Sequence, residues 1–140
     1  MSKIILLIGA FDVKGEEYDF VKRQIEKQGC SVLTMNIGVL GDTDLFVTDI
    51  SNALVAKAGG TNITKLQKDK DRGKAMETMA KGAAVLTRQY FGDGKFHGVL
   101  GMGGSGGTSV ISSAMRALPI GIPKVLVSTV AAGDTTIITG

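Results

Sequence analysis

Residues 101–108, Gly-Met-Gly-Gly-Ser-Gly-Gly-Thr, place five glycines in eight positions. Glycines lack the Cβ that would hold a ligand away from the backbone, and they permit turns that aim successive N–H groups at one anion. Ser105, Thr108 and Ser109 add hydroxyl donors. A helix following them would contribute unpaired N–H groups and the positive end of its dipole. The chemistry that fits these residue types is the holding of a phosphate.

Three borrowed mechanisms overlap in the same stretch, and each lacks a part. Gly101-x-Gly103-x-x-Gly106 has the spacing of the dinucleotide fingerprint. The next apolar run, Leu126-Val-Ser-Thr-Val130, has no acid for the ribose, and Asp134 comes too late. Gly103-x-Ser105-x-Gly107 has the spacing of a nucleophile elbow. Its base should lie downstream, yet the one histidine, His97, is upstream and reads as structural. No Lys-Ser or Lys-Thr pair follows the glycines, so the P-loop machinery is absent. Two readings stay open: a backbone cradle for a mononucleotide or a phosphorylated small molecule, or glycines that let a helix pack tightly on a sheet.

Two further segments should share the carboxyl edge of a parallel sheet with this loop, where open α/β sheets bind ligands. In Gly9-Ala-Phe-Asp-Val-Lys-Gly-Glu16, Lys14 can neutralise phosphate charge, and Asp12 can cap a helix, hold a ribose or help place a metal ion. In Ser128-Thr-Val-Ala-Ala-Gly-Asp-Thr135, Ser128, Gly133 and Asp134 can close the site. Arg72, following a polar stretch, can swing toward a phosphate or remain solvated.

The elements that must position these residues follow from periodicity. Lys3-Ile-Ile-Leu-Leu-Ile-Gly9 is a continuous apolar run suited to a strand buried on both faces. Asp12 is the expected cap of the next helix, whose Tyr18, Val21 and Ile25 recur at helical spacing until Gly29 ends it. Residues 30–36 form a second strand, and 37–47 a functional or connecting loop. Thr48 or Asp49 is expected to cap a short helix through Ala58. Residues 61–70 are polar without periodicity, and 65–72 reads as a solvated loop. Met76, Met79, Ala83, Leu86 and Tyr90 mark an amphipathic helix over 71–91. Residues 97–100 form a strand, 108–118 a small-residue helix and 124–128 another strand. The apolar, β-branched end suggests the front portion of a longer protein.

At 140 residues the chain fits one domain that needs no staples. Lone Cys30 forms no pair, which together with the absence of a signal segment suggests a cytoplasmic setting. Asn62-Ile63-Thr64 matches a glycosylation acceptor without a secretory context to use it. The net charge of +3 is dispersed and only seven residues are aromatic, which argues against nucleic acid as a partner. The apolar runs are too short to cross a membrane.

Seven segments in order resemble the N-terminal part of the Tm-1-like ATP-binding domain family. They are Ile8-Gly-Ala-Phe-Asp-Val-Lys-Gly-Glu-Glu17, Asn36-Ile-Gly-Val-Leu-Gly41, Asp49-Ile-Ser51, Asp71-Arg-Gly73, the glycine stretch 101–108, residues Ala114–Lys124, and Val127-Ser-Thr-Val-Ala-Ala-Gly-Asp134. The resemblance implies a Rossmann-like half of a larger ATP-binding domain, followed in relatives by a second half and a barrel-like domain. Ala10, Phe11 and Val13 depart from the family's Gly-Thr-Leu-Asp-Thr-Lys pattern, which removes two hydroxyls, while Asp12 and Lys14 are retained.

The expectation is therefore an α/β, Rossmann-like three-layer sandwich over residues 1–140, with a mostly parallel sheet of four or five strands, incomplete at its C-terminus. Its expected function is nucleotide binding, with ATP as ligand and magnesium as a possible companion. The expected contacts are Asp12, Lys14, Arg72, Gly103, Gly104, Ser105, Gly106, Gly107, Thr108, Ser128, Gly133 and Asp134. The alternatives are the phosphate-binding half of an enzyme whose catalytic groups lie beyond residue 140, and a protein-interaction module stiffened by nucleotide. A homo-oligomer is the expected assembly.

Overall fold

Strand β1 (Ile4–Gly9) is apolar throughout because both of its faces are covered. Leu6 and Ile8 enter one core cluster, while Leu7 enters another with Phe11 and Tyr18. The computed structural model describes residues 3–128 and 136–139. After β1 come α1 (Phe11–Lys27), β2 (Ser31–Asn36), α2 (Asn52–Ala58), α3 (Ile63–Asp69), α4 (Arg72–Gly92), β3 (Gly98–Gly103), α5 (Ser105–Arg116), β4 (Lys124–Ser128) and β5 (Thr136–Thr139).

The strands form one sheet in the order β2-β1-β3-β4-β5. β1 to β4 pair in parallel, and β5 runs antiparallel to β4. α1 covers one face, and α2, α4 and α5 build the layer on the other. This is the three-layer α/β arrangement expected from the sequence. The connection from β1 goes to one side of the sheet and that from β3 to the other, so the right-handed crossover rule puts α1 and α5 on opposite faces. The outer edge of β2 is occupied by the segment at Asp49 and Ile50: Ile50 donates to the Thr34 carbonyl (2.8 Å), and Asn36 donates to that of Ile50 (3.0 Å). Among the described residues, no helix is long and apolar enough to cross a membrane.

Four local expectations are corrected. Residues 61–70 are not structureless, because Asn62 caps α3 by accepting from the Lys65 N–H (2.8 Å) and Leu66 anchors that helix in the core. The short helix is capped by Ser51 rather than by Thr48 or Asp49; Asp49 instead accepts from the Thr34 backbone (2.9 Å). α1 starts after Ala10 without a side-chain cap, since the Asp12 carboxylate accepts from Leu40 N–H (3.0 Å) across the neighbouring loop. α5 begins at Ser105, three residues before the expected start at 108. Gly106 and Gly107 are poor helix formers and hide that first turn from a propensity reading.

Glycine also sets how closely α2 and α4 approach. A Cβ on Gly82 would overlap the Val55 carbonyl oxygen, and one on Gly59 would overlap that of Thr78. Backbone meets backbone, so neither helix can yield by turning a side chain. Gly82→Ala is accordingly expected to lower stability by about 3 kcal/mol, as overpacking does. The check is a lower urea midpoint at unchanged slope.

Candidate functional site

The carboxyl ends of β1, β2 and β3 open onto a cavity of about 610 Å³. It lies where the chain leaves β1 toward one side and β3 toward the other, the switch point at which open sheets bind ligands. Gly106, Gly107 and Val110 of α5 form one wall. Ala10, Asp12 and Val13 come from the start of α1, Ile37 to Leu40 from the loop after β2, and the remainder from α3, α4 and the turn between them.

The glycine stretch proves to be the end of β3, a single bend at Gly104 and the first turn of α5. Its glycines divide into two kinds. A Cβ on Gly101 would press on Ile111 (2.7 Å) and one on Gly103 on the Thr108 nitrogen (2.8 Å), so both are demanded by strand-helix packing. Cβ atoms on Gly104 and Gly107 would meet nothing within 4 Å. The fold therefore does not need glycine at these two positions, and neither backbone adopts a positive φ. What glycine provides there is open space against the N–H groups of a helix start, which have no intrahelical acceptor. Gly104 supplies no capping side chain either.

Thr108 closes the turn. Its N–H donates to the Gly104 carbonyl (2.9 Å) and its hydroxyl to that of Gly103 (3.1 Å), with Ser128 Oγ 3.3 Å away. Thr108 and Ser128 thus brace the cradle from behind, and neither lines the cavity. Of the expected contacts, Asp12, Arg72, Gly106 and Gly107 line it together. Gly103, the last residue of β3, and Gly104, the N-cap of α5, do not line it. Lys14 is half-buried at a non-helical kink in α1 (φ −116°, ψ 28°) and does not line it. Ser105 begins α5, and Gly133 and Asp134 lie outside the described residues. His97 sits at the opposite end of β3, accepting from the Ile4 N–H (3.0 Å). A six-residue strand, about 20 Å long, separates it from the cradle. His97 thus stands apart from the cradle.

Several residues that shape the site carried no assigned role in the sequence. Asn36, fully buried, accepts from Phe11 (3.1 Å) and Gly38 (2.8 Å) and donates to Gly41 (2.8 Å), tying the first two loops together. Its position at the end of a buried run, two residues before a glycine, is the one available signal. Lys70, a cavity residue, has φ +51° and is the only described non-glycine residue with positive φ. That conformation turns the chain from α3 into α4 and sets Lys70 and Arg72 on the cavity rim.

Tyr18 is buried under the cradle. β1 and β3 pair up to Ile8 and Gly101, and beyond them the tyrosine hydroxyl takes over. It accepts from the Met102 N–H (2.6 Å) and donates to the Ile8 carbonyl (2.6 Å), with the Met102 carbonyl (2.7 Å) sharing the proton. A Cβ on Gly9 would overlap the ring, so that glycine gives the tyrosine its place. Burial holds the phenol well above its ordinary range; the Met102 hydrogen bond offsets part of this, and the Glu17 charge adds to it.

A parallel sheet with helices on both faces and a glycine-walled cavity at its switch point defines a Rossmann-like α/β domain. The chain belongs to the uncharacterised protein family UPF0261, matching its N-terminal domain over residues 3–140. It is 47% identical to a UPF0261 protein of Clostridium tetani over 135 residues, covering 96% of this chain and 33% of that protein. A UPF0261 protein of Rhizobium meliloti is 38% identical over 132 residues, covering 94% of the chain and 32% of the relative. The chain thus spans about a third of the length of these relatives. A shorter similarity, 53% over 64 residues, covers 46% of the chain and 8% of the ToMV susceptible protein tm-1(GCR26) of Solanum lycopersicum.

Proposed function

We propose that this chain is a nucleotide-binding domain and that ATP is a ligand of it. The phosphates would rest on the first turn of α5, with Lys70 and Arg72 supplying positive charge from the rim. One observation carries the reading: the cradle is empty at Gly104 and Gly107, where packing does not ask for glycine, and tightly filled at Gly101 and Gly103, where it does. A protein-held magnesium ion fits less well. Asp12 Oδ1 is buried against Gly38 without a partner, Oδ2 is taken by Leu40, and among the described residues no three metal-ligating side chains gather.

Calorimetric titration with ATP tests the reading, and the absence of saturable heat at millimolar nucleotide would refute it. Lys70→Gly tests the rim. Glycine adopts positive φ without strain, so the variant is expected to be as stable as the parent or up to about 1 kcal/mol more so. It nevertheless loses one phosphate-facing charge, and ATP affinity should drop by roughly fivefold, about 1 kcal/mol. Unchanged affinity would remove Lys70 from the site.

A further inference from the structure

On the α1 side of the sheet, cross-strand partners run in two rows: Leu7, Leu100, Val125 and Thr139, then Met102, Val127 and Ile137. Burial falls along the first row with distance from the helix. Leu7 is fully buried beneath α1, which packs on β1 and β2, whereas Leu100 and Val125 are part-exposed. The second row repeats this, with Met102 and Val127 part-exposed. Leu100 and Met102 touch the cluster of Leu7, Phe11 and Tyr18 from its margin, and Val125 and Val127 enter neither core cluster. Between these two valines Leu126 points the other way and is buried in the core on the α5 side.

β4 lies inside the sheet, between β3 and β5. Interior strands of such sheets are apolar on both faces because both are covered. Lys124-Val-Leu-Val-Ser128 has that composition, yet only its Leu126 face is buried. We propose that the half-face of Leu100, Met102, Val125 and Val127 is a docking surface for polypeptide that follows this domain in the full-length protein. Length and position argue for that occupant. The matched part makes up 33% and 32% of the two bacterial relatives, so most of each lies outside it. Thr139, at the end of β5, pairs with Val125, so polypeptide continuing from β5 starts beside the first row. The four side chains carry no charge, which calls for an apolar surface on the occupant. A helix laid over β3 and β4 as α1 is laid over β1 and β2 supplies it.

Thiol alkylation read by peptide mass spectrometry tests it, with Val127→Cys made in the full-length protein and in this 140-residue chain. Cysteine behaves as a small hydrophobe, so the strand should keep its place. Phe20→Cys, at a position 63% exposed on α1, gives the reference rate in each. Relative to that reference, the thiol at position 127 should react about tenfold or more slowly in the full-length protein than in the 140-residue chain. Equal relative rates would overturn the proposal. Protection that fades on dilution would overturn it too, by assigning the face to a second copy. So would equal protection in the 140-residue chain, whose own residues would then cover the face. Val125→Glu gives an independent arm, because a charge costs much more when buried than when left in water. The urea midpoint should fall by about 1 M or more in the full-length protein and by less than about 0.3 M in the 140-residue chain. An equal fall in both would contradict the proposal.

Discussion

Gly107→Glu is expected to raise the melting temperature by about 4 °C and to lower ATP affinity by roughly 100-fold or more. The opposite signs come from one location. Gly107 is the third residue of α5, where a glutamate side chain can reach back to the N-cap backbone, and its Cβ has open space to enter. Replacing glycine in a helix gains about 0.5–1 kcal/mol, and a negative charge beside the positive end of the helix dipole adds about 0.3–1 kcal/mol. The same carboxylate then occupies the place proposed for a phosphate. Differential scanning calorimetry and ATP titration on the same sample read both effects. A stabilised variant that still binds ATP would show that the cradle holds no phosphate.

Tyr18→Phe is expected to cost about 3 kcal/mol of stability. It leaves the Met102 N–H and the Ile8 carbonyl without their partner in a buried place, and an unmet buried group costs about 1–3 kcal/mol. ATP affinity should fall by about tenfold as well, because the hydroxyl sets the separation of β1 and β3 immediately beneath the loop that forms the cradle. Leu86→Ala serves as the control: it should cost a similar amount through a core cavity in α4 and leave affinity unchanged. Equal affinity losses in the two variants would reduce Tyr18 to a general stabiliser. A pH dependence accompanies the tyrosine. The folded state keeps the phenol protonated above its unfolded value of about 10, so the folded chain binds more protons there. Its contribution is complete below about pH 10 and is lost as pH rises above it, and urea midpoints measured on either side should show a steeper decline in the parent than in Tyr18→Phe.

Much of the fold was legible because its signals are local. The doubly buried β1, the helical stripe of Met76 to Tyr90 and the strands on either side of the glycine stretch each declare themselves within a dozen residues. The departures share a cause. Asp12 looked like a helix cap because the sequence cannot show that Leu40, 28 residues away, presents an N–H to it. The polar run at 61–70 concealed α3, whose stability depends on its Asn62 cap and on the burial of Leu66 in a core made by distant elements.

The site divides along the same line. The sequence by itself determined that a glycine-rich strand-to-helix turn exists and that no downstream histidine, ribose acid or Walker lysine accompanies it within 140 residues. Only the tertiary structure decided which glycines serve packing and which leave room. That depends on whether Ile111 and the Thr108 backbone stand where a Cβ would be. It also decided that Tyr18 meets Met102, 84 residues on, and that Lys70 and Arg72 reach the cavity rim while Lys14 does not. Composition and periodicity report what each segment prefers on its own; the space beside an atom is set by segments far away in the chain.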